Sequence, residues 1–129
     1  PDYLSNALTP TFPDGLDIEV FSTSAFARLE DFELTSAERE HVTLGLYERP
    51  NFFKVQSFEN SSNLGSERWT LDYIQDYEFI SRIYSHFRGN ELNFNLDEVL
   101  KYLEEYPSAR NELSGDFRNI SLRKSKDLS

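Results

Sequence analysis

The sequence predicts a mixed domain of α/β or α+β class, and three observations point there. Short stretches such as residues 16–21 alternate apolar and polar side chains, the period of a half-buried strand. Residues 74–87 and 96–103 carry apolar side chains three and four apart, the period of an amphipathic helix. The two kinds of segment are interspersed along one chain rather than separated into blocks.

Taken in order, residues 2–8 read as a first strand. Thr9-Pro10-Thr11-Phe12-Pro13-Asp14-Gly15 supplies two prolines and an Asp-Gly pair, which make a loop. In the second strand, Leu16-Asp17-Ile18-Glu19-Val20-Phe21, turning Leu16, Ile18 and Val20 to the core puts Asp17 and Glu19 together on the opposite face. Ser22 or Ser24 is placed to cap a helix over residues 25–29. Thr35-Ser36-Ala37-Glu38 has the layout of a capping box and opens a helix through Glu40, His41, Leu44 and Leu46, ended near Pro50. Residues 52–58 form a third strand and 59–66 a polar loop. Arg68-Trp69-Thr70-Leu71-Asp72 forms a fourth strand that ends on a carboxylate. Two helices follow, the first stopping before Gly89 and the second capped by Asn95 with Pro107 beyond its end. The packed region is expected over residues 1–107. Residues 108–129, with Arg118, Arg123, Lys124 and Lys126 among serines, form a mostly exposed tail. About four strands and four helices result, and their pattern leaves the sheet topology open.

Composition narrows the function. The chain has 129 residues, 23 acidic and 13 basic side chains and a net charge of −10. A surface of that sign repels a phosphate backbone, which argues against a nucleic-acid partner. A Mg²⁺-bound nucleotide stays open, because the cation lies between carboxylates and phosphates. There are no cysteines, so disulfides, zinc thiolates and thiol nucleophiles are excluded, in keeping with a reducing cytoplasm. No apolar run approaches the roughly 20 residues that a membrane span needs. Pro1-Asp2-Tyr3-Leu4-Ser5 has neither an initiator Met nor the pattern of a signal peptide, and reads as the interior of a longer chain.

Three blocks could carry chemistry. Asp17 and Glu19, about 7 Å apart on one strand face, suit sugar hydroxyls or a share in a metal site, or else make a solvated strand face. Glu38-Arg39-Glu40-His41-Val42-Thr43 is a polar helix start whose His41 could donate to a ligand, or a capped first turn exposed to water. Asp72, at the carboxyl end of a strand, suits a hard cation such as Mg²⁺, or caps the helix that follows.

Phe12-Pro13-Asp14-Gly15-Leu16-Asp17-Ile18-Glu19-Val20-Phe21, Glu38-Arg39-Glu40-His41-Val42-Thr43 and Arg68-Trp69-Thr70-Leu71-Asp72 stand in this order, after an opening Asp2-Tyr3-Leu4-Ser5-Asn6. Together they resemble the C-terminal half of the cytidylyltransferases of the spore coat polysaccharide biosynthesis type. These are relatives of the acylneuraminate and 3-deoxy-manno-octulosonate cytidylyltransferases. The resemblance covers roughly residues 2–105. It implies part of a nucleotide-diphospho-sugar transferase fold, a Rossmann-like α/β sandwich. It also implies a cytoplasmic, homodimeric enzyme in which a hydroxyl of an acidic or amino sugar attacks the α-phosphate of CTP. The products are a CMP-sugar for surface polysaccharide and pyrophosphate, with Mg²⁺ bridging the phosphates. By the same resemblance Asp72 is a metal ligand, and Asp17, Glu19, Glu40, His41 and Arg68 lie on the substrate side.

The departures from the family pattern are specific. Leu44 stands where the family has Pro, and Tyr73-Ile74-Gln75-Asp76 stands where it commonly has Thr-Pro-Glu-Asp. No Gly-rich nucleotide loop occurs in these residues, so the chain alone is expected to be inactive. A non-catalytic dimerisation or assembly domain derived from the same fold is the alternative.

Overall fold

A computed structural model describes residues 1–115 of the chain. Its order is β1 (Tyr3–Ser5), β2 (Glu19–Phe21), α1 (Thr23–Ala27), α2 (Ser36–Glu40), α3 (Leu44–Tyr47), β3 (Val55–Ser57), α4 (Ile74–His86) and α5 (Leu96–Glu105). Turns of 3₁₀ helix follow α1 at Arg28–Asp31 and α5 at Pro107–Ala109. The three strands form one mixed sheet in the order β2-β1-β3, with β1 antiparallel to β2 and parallel to β3. The α/β expectation holds, with strands shorter than the sequence suggests.

The reasons for the short strands are local. Beyond Ser5 one backbone bond remains, from the Asn6 N–H to the Ile18 carbonyl at 3.3 Å, and the Asn6 side chain takes up the rest of the pairing with residues 16–18. Asn6 Nδ2 donates to the Leu16 carbonyl at 2.9 Å, and its Oδ1 accepts from the Ile18 N–H at 2.8 Å. Asn6 is buried, so both bonds satisfy groups cut off from water. The strand expected over residues 68–72 is reduced to one parallel bridge between Arg68 and Asp14. The N–H groups of Asp72 and Tyr73 bond to the Asp76 carboxylate instead of to a neighbouring strand.

The helix ends follow the sequence signals closely. Ser22 caps α1, Asn95 caps α5, and Thr35 with Glu38 forms the expected capping box of α2. The long helix expected from Ser36 through Leu46 is broken into α2 and α3. Val42 and Thr43 are β-branched and disfavour helix, and His41 takes ψ 89° at the end of α2.

Glu38 also clasps the two halves of that break. Its Oε1 accepts from Arg49, whose Nη1 also donates to the Gly45 carbonyl at 3.0 Å. The Arg49 hydrogen bond holds the Glu38 carboxyl down at about 2, against a desolvation cost that acts the other way. A carboxyl depressed in the folded state stabilises above its ordinary value near 4.5 and loses that contribution as pH falls toward 2. Glu38→Gln should therefore cost about 1–3 kcal/mol at pH 7. In urea unfolding the gap to the parent chain should narrow steadily below pH 4.5.

Two apolar clusters form the core. Tyr3, Ala25, Leu29, Leu46 and Phe53 lie under the sheet, and Phe79, Ile83, Val99, Leu103 and Ala109 join α4 to α5. Burying each large apolar side chain contributes about 1.5–3 kcal/mol. The packed region reaches beyond residue 107, because Ala109 and Asn111 are buried. The basic stretch from Arg118 to Lys126 lies outside the described residues.

Candidate functional site

Residues 16–21 do not bury the apolar face expected of them, and all six are exposed. Ile18 and Val20 are more than half exposed, while Asp17, Glu19 and Phe21 line an open cleft of about 790 Å³. The period of two is kept, but neither face is buried; the face carrying Asp17, Glu19 and Phe21 is the one that borders the cleft. The cause is the register with β1. Tyr3 pairs with Phe21, which makes Glu19 its diagonal neighbour on the same face. The Tyr3 hydroxyl donates to Glu19 Oε1, and Thr43 Oγ1 donates to the same oxygen at 2.8 Å.

The break between α2 and α3 forms the facing wall. Glu40, His41, Val42 and Thr43 line the cleft there, with Tyr47 from α3. A continuous helix would have carried some of these side chains away around its axis; the irregular turn presents four in succession. Three carboxylates (Asp17, Glu19 and Glu40) and one imidazole thus share a single cavity with two phenols. Burial, and then the neighbouring Glu19 carboxylate, push the Tyr3 phenol well above its ordinary value and raise that of Tyr47. Both phenols stay protonated near neutral pH.

The other two candidates sit elsewhere. Arg68 is 4% exposed and does not line the cleft. Its Nε and Nη2 form a fork onto Asp76 at 2.9 and 2.8 Å, and Nη2 also reaches Asp72 Oδ2 at 3.0 Å. Nη1 lies 3.4 Å from Asp14 Oδ2. The guanidinium therefore faces three protein carboxylates. Asp72 is the one turned outward, with its side chain 65% exposed.

Asp76, to which the sequence reading gave no role, organises this cluster. It is fully buried, and it accepts from Thr70 Oγ1, from the N–H groups of Asp72 and Tyr73, and from Asn111 Nδ2. Burial opposes its ionisation, but Arg68 and the other donors outweigh burial and hold the carboxyl far below the usual carboxylate range. Its sequence signal is an acid three residues after Tyr73, at the start of α4, where an acid can accept from the N-cap N–H. The loop carrying Asp14 reaches the cluster through Gly15 at φ +102°, where a Cβ would lie 2.7 Å from the Trp69 carbonyl carbon. One segment, residues 13–21, thus runs from the Arg68 cluster to the cleft.

The chain matches, at TM-score 0.78 and 29% identity, the solved structure of a cytidylyltransferase from Leptospira borgpetersenii, over 86% of this chain and 46% of that one. The chain is similar to a cytidylyltransferase in fold and in sequence. It is also 32% identical over 124 residues to an uncharacterized protein of Methanocaldococcus jannaschii, over 95% of this chain and 49% of that protein. The chain spans about half the length of the relatives it matches. No family model matches it. Among the described residues no helix is long and apolar enough to cross a membrane.

A magnesium ion keeps several waters and takes one or two protein carboxylates plus substrate phosphates. Among the described residues no three or more His, Asp or Glu are grouped to hold a metal. An exposed carboxylate oriented by Arg68 fits a single-ligand contribution of that kind, and does not fit a closed protein cage.

Proposed function

We propose that the chain supplies the sugar side and part of the metal side of a CTP-dependent sugar nucleotidyltransferase, one that makes a CMP-sugar and pyrophosphate for surface polysaccharide. The observation that carries the reading is the gathering of Asp17, Glu19, Glu40 and His41 around one cleft, in a chain similar to a cytidylyltransferase. In this reading the carboxylates accept hydrogen bonds from an acidic or amino sugar and orient its attacking hydroxyl, which lowers the barrier by positioning. His41, at the cleft wall, is placed to accept or return that hydroxyl's proton. Asp72 would hold Mg²⁺ together with phosphate oxygens of CTP. When bound, the ion neutralises charge on the phosphates. Arg68 acts through Asp72 by fixing the carboxylate that faces outward.

The cytidine and triphosphate pocket is assigned to residues other than these. Calorimetry of CTP–Mg²⁺ against the chain should accordingly detect no micromolar binding, and micromolar affinity would overturn that assignment. A second reading, a non-catalytic assembly domain, is favoured by the exposed apolar side chains around Asp72. Leu71, Tyr73, Ile74 and Tyr77 are each between 45% and 65% exposed, a surface suited to contact with another protein.

A further inference from the structure

The cleft holds a device that the proposed reaction does not by itself require. Glu19 Oε1 accepts from two hydroxyls that arrive from separate elements, Tyr3 on β1 and Thr43 at the break between α2 and α3. Tyr3 is 1% exposed and packed in the core beside Leu29, Leu46 and Phe53, so its hydroxyl cannot swing away. Thr43 is also buried. A long, flexible carboxylate is thus fixed before any ligand arrives. Because both hydroxyl protons are committed to it, Glu19 is kept as an acceptor. No Lys or Arg lines the cleft among the described residues.

We propose that Tyr3 and Thr43 are positioning residues that lock Glu19 to receive a hydroxyl or ammonium group of the sugar, and that this cleft refuses the sugar's carboxylate. The proposal rests on the reading of the cleft as the sugar side. Preorganisation removes the entropy of ordering the Glu19 side chain from the cost of binding, an effect on the order of tenfold in affinity. The selection follows from charge. Three carboxylates around one cavity, with no Lys or Arg among its lining residues, favour a cationic or neutral donor-bearing group over a ligand carboxylate, which would meet like charge there. If the substrate is an acidic sugar, its carboxylate faces out of this cleft, and the end that enters carries hydroxyl or amino substituents.

The test is an amide NMR titration of the chain with two probes at pH 7, D-glucosamine and D-glucuronate. Glucosamine should shift amides of residues 17–21 and 41–43, and glucuronate at equal concentration should not. Tyr3→Phe and Thr43→Val should each weaken glucosamine binding about tenfold with the rest of the spectrum unchanged, and Thr43→Ser, which keeps the hydroxyl, should restore it. A residue needed only for packing would give the opposite order, because Val preserves the shape of Thr better than Ser does. If Thr43→Val binds as well as the parent chain, the positioning role is overturned, even should Tyr3→Phe fail to fold. Equal binding of glucuronate overturns the charge selection. If neither sugar shifts the cleft of the unaltered chain, the assignment of the cleft to a sugar falls, and the positioning role falls with it.

Discussion

Asp76→Asn is expected to destabilise the chain by about 3–5 kcal/mol, the largest loss of any single replacement outside the apolar core. The carboxylate is fully buried and takes both prongs of the Arg68 fork. Neutralising it leaves a guanidinium that is 4% exposed, facing Asp14 at 3.4 Å and a mostly solvated Asp72. An amide in its place also turns its NH2 toward donors in either orientation, toward Asn111 Nδ2 and Arg68 Nε on one side or toward the Asp72 and Tyr73 N–H groups on the other. The cluster ties the loop at Asp14, the segment at Arg68, the start of α4 and Asn111, so the loss should be global rather than local. Urea unfolding measures it. An apolar double replacement, Arg68→Met with Asp76→Leu, should recover much of the stability, because it removes both buried charges together. A loss below 1 kcal/mol for Asp76→Asn would mean that the cluster is not what joins these segments.

Asp72→Asn should behave in the opposite way. The side chain is exposed and its one ion pair is monodentate, so stability should change by no more than about 0.5 kcal/mol. In the full-length enzyme that the proposal requires, pyrophosphate release from CTP in the presence of sugar should fall about 10²–10³-fold, the usual cost of losing one charge-stabilising group. The two aspartates lie four residues apart and share one arginine, yet one should govern folding and the other turnover. A loss under tenfold for Asp72→Asn would make it a loop residue held by Arg68 and nothing more.

The sequence was most informative where a local interaction decides the structure. The caps at Ser22, Thr35 and Asn95 and the centres of the apolar stripes of α4 and α5 stand where their spacing puts them, because a cap or a helical face is set within a few residues; Ile74 and Tyr84, read into the α4 stripe, are exposed. It was least informative where a distant group competes. The alternation in residues 16–21 is genuine, but it does not say which face turns to the cleft. Tyr3 and Thr43, which lie 16 and 24 residues from Glu19 in sequence, decide that. The strand expected at residues 68–72 failed for a local reason that its alternation does not show: Asp76, at the start of the next helix, takes the N–H groups of Asp72 and Tyr73. Four of the six candidate site residues were nonetheless brought to one cavity. Their signal was polar density in short blocks, and those blocks also carried the resemblance.

The central claim is that Asp72 faces a divalent cation shared with the phosphates of CTP, beside a sugar cleft built on Glu19. Paramagnetic relaxation in the full-length enzyme tests it most directly, with Mn²⁺ in place of Mg²⁺, substoichiometric metal and millimolar CTP. The amide signals of residues 70–74 should broaden first, and Asp72→Asn should abolish that broadening while the rest of the spectrum is kept. Broadening that begins elsewhere, or that persists unchanged in Asp72→Asn, would contradict the account.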